Sequence, residues 1–243
     1  MNSDFEAPAT HIDSFEPALE ADLLTTAYHR ALRLGNYAVR FATIERAPRY
    51  SDGKHENNAE HSFMLALIAP EVASLLRPDL DIGLVAQYAT VHDLVELETG
   101  DVATFNLSPT ELAHKEQAER DALDALLRRL PPYTAALLRR YEEQTEPEAR
   151  YVRLIEKALP LLLNIFGAGS SVMHEVFGIT TEQELAAAER ACQQRLQATF
   201  PEADLSTVLQ LRAILAERFA QSFKPPEVSP RQAESDTTMT CVH

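Results

Sequence analysis

The sequence predicts an all-α fold. Three observations carry that expectation. Glycine is scarce, at 7 residues in 243. The strong helix formers Ala, Leu, Glu and Arg dominate. Long stretches repeat apolar residues at helical spacing between recognisable start and stop signals. A chain of this length can bury one full core, so a single helical domain over residues 18–223 is expected. The aperiodic, polar segments 1–17 and 224–243 read as disordered tails.

The elements follow in order. Leu19, Leu23, Leu24, Ala27, Ala31 and Leu34 recur at helical spacing and give a first helix, which Gly35 would interrupt before Tyr37–Ile44 continue it. The polar stretch ERAPRYSDGKHEN reads as a loop. A second helix is expected from an N-cap at Asn58 down to Leu76, with Pro70 as a local irregularity. A third, capped by Asp79 or Asp81 and ended by Gly100, carries His92 and Asp93 near its C-terminal end. Ser108-Pro109-Thr110-Glu111 has the form of a capping box with proline at the first helical position, opening a helix to about Arg129. Pro131-Pro132 punctuates, and a short helix runs to about Gln144. Pro147 opens EARYVRLIEKALPLLLNIFG, in which Pro160 removes an amide and should kink the helix near Glu156. Thr181-Glu182-Gln183-Glu184 is a second capping box, starting a helix to about Thr199, and a last helix is expected from about Glu202 to Phe223. No strand-like alternation and no internal repeat is evident.

Composition excludes several function classes. Acidic residues outnumber basic ones 37 to 22, for a net charge of −15, which repels polyanions and argues against a nucleic-acid polymer as partner. A small phosphorylated substrate remains compatible if a cation and one or two arginines reverse the field inside one cleft. Strings of the form G-x-x-x-x-G-K or G-x-G-x-x-G do not occur, so nucleotide binding through such a loop is excluded. Cys192 and Cys241 stand far apart and suggest neither a disulfide framework nor a zinc–thiolate site, which fits a reducing cytoplasm. The acidic N-terminal residues do not resemble a secretory signal. The apolar run 158–166 is too short to span a bilayer, so no membrane association is expected.

The chemistry concentrates in the adjacent pair His92-Asp93, with His61 upstream and Glu96 and Asp101 just downstream. Imidazoles and carboxylates on packed helical segments can hold a divalent cation. Glu96 is i+4 from His92 and i+3 from Asp93, which puts its carboxylate beside such an ion, where it can orient or deprotonate a water as general base. Asp101 follows Gly100 on a turn from which it can approach a substrate. A single buried histidine is more often a hydrogen-bonded core residue than a ligand, and Asp93, Glu96 and Asp101 each have structural readings as caps, salt-bridging acids or turn residues. The combination outweighs those readings, because the acid-dense helix HDLVELE would otherwise be costly to bury.

At ENNAEHSF (56–63), VHDLVELETGDVAT (91–104) and EARYVRLIEKALP (148–160) the chain resembles the HD-domain metal-dependent phosphohydrolases. It resembles most narrowly the branch of bacterial 5'-deoxynucleotidases of the YfbR type, over roughly residues 28–170. The resemblance implies a helical bundle of the HD type with His61, His92 and Asp93 as metal ligands. The fourth ligand is an Asp preceding Lys in the later string, and Glu156 stands there in this chain; its additional methylene displaces the carboxylate by more than about 1 Å. It further implies catalytic roles for Glu96 and Asp101 and phosphate binding by an upstream arginine. Arg46 is the best match for that arginine, and Arg49 and Lys54 in the same loop are candidates for further substrate contacts. The ligand set accepts Mn, Co, Fe or Zn, and Mg less naturally.

The function expected on this basis is hydrolysis of a nucleotide phosphoester, foremost release of phosphate from a deoxynucleoside 5'-monophosphate. The alternatives are a deoxynucleoside triphosphohydrolase and a catalytically silent module that binds a nucleotide or a protein, the latter motivated by Glu156. A homodimer or larger homo-oligomer is expected because related bundles pair. The structural readings of two residues are also specific: Arg46 would pair with Glu45 or Glu60, and Glu156 would be a surface residue paired with Arg153.

Overall fold

The computed structural model describes residues 17–102, 105 and 107–226. The helices are α1 (Pro17–Phe41), α2 (Asn58–Leu76), α3 (Ile82–Val91), α4 (Glu96–Thr99), α5 (Pro109–Leu127), α6 (Pro132–Glu143), α7 (Pro147–Ile155), α8 (Leu159–Phe166), α9 (Gly169–Glu175), α10 (Glu182–Thr199) and α11 (Ser206–Ser222). Short 3-10 turns at Glu156–Ala158 and Ala203–Leu205 precede α8 and α11. The expected tails at 1–16 and 227–243 lie outside the described residues. At their inner edges Pro17 already opens α1, and the Lys224 amide donates to Ser170 Oγ at 3.0 Å.

The core forms where α2, α3 and α7 meet. Leu65 and Ala69 of α2, Val85 and Tyr88 of α3, and Val152 and Leu154 of α7 are all completely buried. The Tyr151 hydroxyl donates to the Ala69 carbonyl at 2.9 Å, so the tyrosine meets its polar requirement inside the apolar layer. By length and composition α2 is apolar enough to cross a membrane, which the run 158–166 is not. One face of it packs against α3, while Phe63, Leu67 and Leu75 on the other face are exposed.

Several expected signals hold at atomic detail. Asp81 caps α3 by accepting from the Leu84 amide, and Ser108 and Thr181 form reciprocal capping boxes with Glu111 and Glu184. Others are displaced. The N-cap of α2 is Asn57, whose side chain accepts from Ala59 and Glu60 amides while the Glu60 carboxylate returns to the Asn57 amide; Asn58 is the first helical residue. α1 runs through Gly35 without a break, since one glycine costs a long helix only about 1 kcal/mol.

Two corrections bear on function. The stretch read as a polar loop is an antiparallel hairpin, β1 (Glu45–Arg49) and β2 (His55–Asn57), with an irregular register between Glu45↔Asn57 and Arg49↔His55. Both strands are edges, so Pro48 costs no ladder bond inside a sheet. The third helix stops at Val91, and residues 92–98 continue in tighter turns whose amides reach back three residues, as in Leu94 N to Val91 O at 3.1 Å and Glu96 N to Asp93 O at 2.9 Å. With about three residues per turn, side chains three apart eclipse, which brings Asp93 and Glu96 onto one line. Gly100 ends α4 with φ +72°, a value that favours glycine.

The hairpin is locked to the body at the α8–α9 junction. The Ala168 amide donates to the Arg49 carbonyl at 3.0 Å, and a Cβ on Gly167 would run into the carbonyl oxygens of Arg49 and Leu163. Gly167→Ala is therefore expected to cost about 1–3 kcal/mol in chemical denaturation. Gly35→Ala, where a Cβ meets open space within a helix, should be neutral or stabilising by up to about 1 kcal/mol. Equal effects of the two substitutions would contradict the close approach.

Candidate metal centre

Two histidines are brought face to face by α2 and the segment after α3. His61 lies in the first turn of α2, fixed by the Asn57 cap, and His92 directly follows α3; both are 2 % exposed. Their ring centroids are 5.3 Å apart. The His92 Nδ1 atom lies 2.9 Å from the Ala89 carbonyl, which only accepts, so Nδ1 carries a proton and Nε2 is the ring atom turned toward the acids. That buried Nε2 has no aligned hydrogen bond, yet it faces Asp93 Oδ2 at 3.0 Å and Glu156 Oε2 at 3.3 Å. His61 Nε2 lies 3.8 Å from the same Asp93 oxygen.

Lone pairs converging at these distances repel unless something positive sits among them. A divalent ion about 2.1 Å from each ligand puts neighbouring donors roughly 3.0–3.5 Å apart, close to the spacings found. Ligand atoms of His61, His92 and Asp93 all lie within 4.8 Å of one another. The donors therefore fit the metal that the sequence implies. Glu156 joins from the far side, at the C-terminal end of α7 where the 3-10 turn begins, with its second oxygen held by Lys157 at 2.6 Å. It is not a surface residue paired with Arg153: it is 7 % exposed, and Arg153 pairs with Glu142 at 3.0 Å. Behind the site the Tyr141 ring packs edge-on against His92 at 6.3 Å and carries the Arg153 guanidinium over its face at 4.8 Å.

Arg46 arrives on β1 and organises the remaining acids. Its Nη1 lies 2.9 Å from Asp93 Oδ2, 3.4 Å from Glu96 Oε2 and 3.2 Å from Asp101 Oδ1, while Nε lies 3.3 Å from Glu56 Oε2. The eclipsed turn lets one nitrogen serve both Asp93 and Glu96. Arg46 thus pairs with neither Glu45 nor Glu60. The other two basic residues expected at the substrate are engaged elsewhere. Arg49 donates from Nε to His55 Nε2 at 3.1 Å and pairs with Glu175 of α9. Lys54, 57 % exposed, pairs with Glu60.

Two residues of the centre were not anticipated. Glu56, 1 % exposed, stands 3.4 Å from His61 Nδ1 as well as against Arg46, and so backs the histidine from the side opposite the donors. Asn58 is fully buried, donating to Glu96 Oε2 at 2.8 Å and accepting from Arg46 at 2.9 Å. Both stand in ENNAEHSF, and the available signal was an unusual density of polar groups at the start of an otherwise apolar helix.

Electrostatics divides the acids into two kinds. For Asp93 burial opposes ionisation, but His92, Arg46 and His61 outweigh it and hold the carboxyl well below its usual range. Glu156 is likewise lowered, burial being offset by Lys157 and His92. Burial and then the Asp93 charge push Glu96 up to about 9, against the pull of Arg46. Burial pushes Glu56 up to about 7 and raises Asp101, again against Arg46. Burial and the Arg46 charge drive His61 well below its ordinary value, leaving it neutral and able to coordinate. His92 is raised because Asp93 and Glu156 overcome burial.

Fold and site together define a helical protein built around a buried histidine–carboxylate cluster with the donors to hold a metal ion. The chain belongs to the HD domain family, whose model matches residues 40–209. Among solved structures it resembles a predicted metal-dependent phosphohydrolase from Magnetospirillum magnetotacticum, at 26% identity and a TM-score of 0.58, covering 81% of this chain and 96% of that one. A protein from Pyrococcus horikoshii matches at 26% identity and a TM-score of 0.46, covering 74% and 98% of the two chains. A conserved hypothetical protein from Pyrococcus furiosus matches at 21% and 0.44, covering 69% and 99%. None of the curated proteins matches the sequence significantly.

The raised Glu96 yields a signed prediction for the ion-free protein. Its carboxyl ionises near 4.5 when unfolded and near 9 when folded, so across that interval the unfolded state binds fewer protons and stability falls as pH rises. A divalent ion should reverse this by expelling the proton. Calorimetric titration with Mn²⁺ at neutral pH is expected to give heats that depend on the ionisation enthalpy of the buffer; buffer-independent heats would contradict the assignment.

Proposed function

We propose that this chain is a metal-dependent phosphohydrolase that releases inorganic phosphate from a deoxynucleoside 5'-monophosphate, as the 5'-deoxynucleotidase resemblance implies. The observation that carries the reading is the buried His92 Nε2 atom held against the Asp93 and Glu156 carboxylates, with Glu96 on the next turn beside Asp93. The similarity to the Magnetospirillum protein supports the reaction class.

In this reading His61, His92, Asp93 and Glu156 hold the ion, which when bound supplies Lewis acidity to a phosphate oxygen and lowers the pKa of a water. Water oxygen forms the new P–O bond, and its proton passes to Glu96, which Asn58 and Arg46 hold in place. The ester P–O bond breaks, and Asp101, whose raised pKa suits a donor, delivers its proton to the leaving 5' oxygen. Arg46 keeps Asp93 ionised and sets a fixed positive charge beside the charge that develops on phosphorus. Glu156, buried and aimed at His92, favours this reading over a silent binding module.

Purified protein loaded with Mn²⁺ or Co²⁺ is expected to release phosphate from dAMP. Glu96→Gln and Asp101→Asn should each lower kcat by about 10²-fold or more while bound metal is retained. Release of pyrophosphate or tripolyphosphate from dATP, without phosphate from dAMP, would favour a triphosphohydrolase and reject the monophosphatase.

A further inference from the structure

The substrate just proposed carries two negative charges into a site crowded with carboxylates, and the cations first expected to meet it are committed. Arg46 is shared among Glu56, Asp93, Glu96 and Asp101, and Arg49 and Lys54 pair with Glu175 and Glu60. One further basic side chain stands on a helix packed against α4, which carries Glu96.

Lys115 lies on α5, the helix that packs on α4. The sheltered stripe of α5 is formed by Leu112, Lys115, Glu119, Leu123 and Leu126, spaced three and four apart. Its C-terminal members share an apolar cluster with Leu94 and Leu97, which flank Glu96 in sequence. Its N-terminal half puts a lysine and a glutamate where apolar residues would pack at less cost. The Lys115 side chain is only 15 % exposed, and its one described ion pair is with Glu119, one helical turn on. The charges of Glu96 and Asp93 act on its ammonium, and the ammonium acts in turn on Glu96 and Asp101.

We propose that Lys115, set by Glu119 on the inward stripe of α5, is the additional cationic contact for the phosphate group of the substrate. It rests on Glu119 while the site is empty of substrate and turns to a non-bridging phosphate oxygen when the dianion enters, adding a charge-assisted bond to those that Arg46 can make. Burial opposes its charge, but Glu119, Glu96 and Asp93 more than compensate and hold its pKa above the ordinary lysine value, so it remains a cation at neutral pH. The inference rests on the phosphohydrolase reading for the identity of the substrate, and on geometry and charge for the position of the lysine.

The test titrates inorganic phosphate into metal-loaded protein by calorimetry and measures KM and kcat for dAMP, for the wild type, Lys115→Met, Lys115→Gln and Lys115→Arg. The two neutral replacements keep the site whole if either one folds less well. Both should weaken phosphate binding and raise KM by roughly 10- to 100-fold, with metal content unchanged. Lys115→Arg should restore most of the affinity, and the salt dependence of phosphate binding should flatten in the neutral variants. Unchanged phosphate affinity and KM in Lys115→Met and Lys115→Gln would overturn the proposal and leave Lys115 as a counter-ion to the carboxylates. The phosphate titration does not require turnover. A wild type that binds phosphate through Lys115 but hydrolyses no monophosphate would reject the proposed reaction and retain this contact.

Discussion

The interaction on which the structure depends is the crowding of five carboxylates, those of Glu56, Asp93, Glu96, Asp101 and Glu156, into a largely water-excluded space around two imidazoles. Burying so much like charge is unfavourable unless counter-charge and hydrogen bonds are supplied at fixed positions. Arg46 supplies much of that from the hairpin, Lys157 and Lys115 act from the rim, and a divalent ion would supply the balance. The elements converge here for that reason. The hairpin delivers Arg46 and Glu56, the cap of α2 fixes His61, the tight turns after α3 align Asp93 with Glu96, and the Gly167 junction holds the hairpin against the helices.

Glu156 stands, buried, where the resemblance places a shorter aspartate. The α-helix gives way to a 3-10 turn at Glu156–Ala158, just before Pro160, as a missing amide at that proline leads one to expect. Lys157 takes one carboxylate oxygen, leaving the other directed at His92. Tyr141, pressed between His92 and Arg153, stiffens the wall behind the ligands. A ligand held by such surroundings loses little freedom on binding, which is how an outer layer of contacts adds to metal affinity.

Much of this was legible in the chain before its fold was known, and the divisions have physical causes. Helices announce themselves through periodicity and through reciprocal caps such as Ser108 with Glu111, because those signals are local. The hairpin was not legible: its strands are five and three residues long, contain Pro48 and several charges, and gain their order from docking at Arg49 and Ala168. The break after Val91 was hidden for a similar reason, since HDLVELE has good helical composition and its acids meet Arg46 only in the folded chain. His61, His92 and Asp93 come together as their pattern led one to expect, and Glu96 and Asp101 join them through Arg46. Glu56 and Asn58 escaped notice because single polar residues at a helix start look like caps, and Lys115 because its stripe reads as amphipathic only once the burial of α5 is known. α9, a short helix without a side-chain cap, lies in a stretch to which the sequence assigned no element.

The central claim is that four side chains from three stretches of the chain share one cation. Anomalous diffraction from crystals grown with Mn²⁺ or Co²⁺ tests it most directly. The account predicts a strong peak bonded by a nitrogen of His61, Nε2 of His92 and oxygens of Asp93 and Glu156. A structure in which the two imidazoles turn apart, or in which the ion binds elsewhere and leaves Nε2 of His92 facing the carboxylates alone, would contradict it.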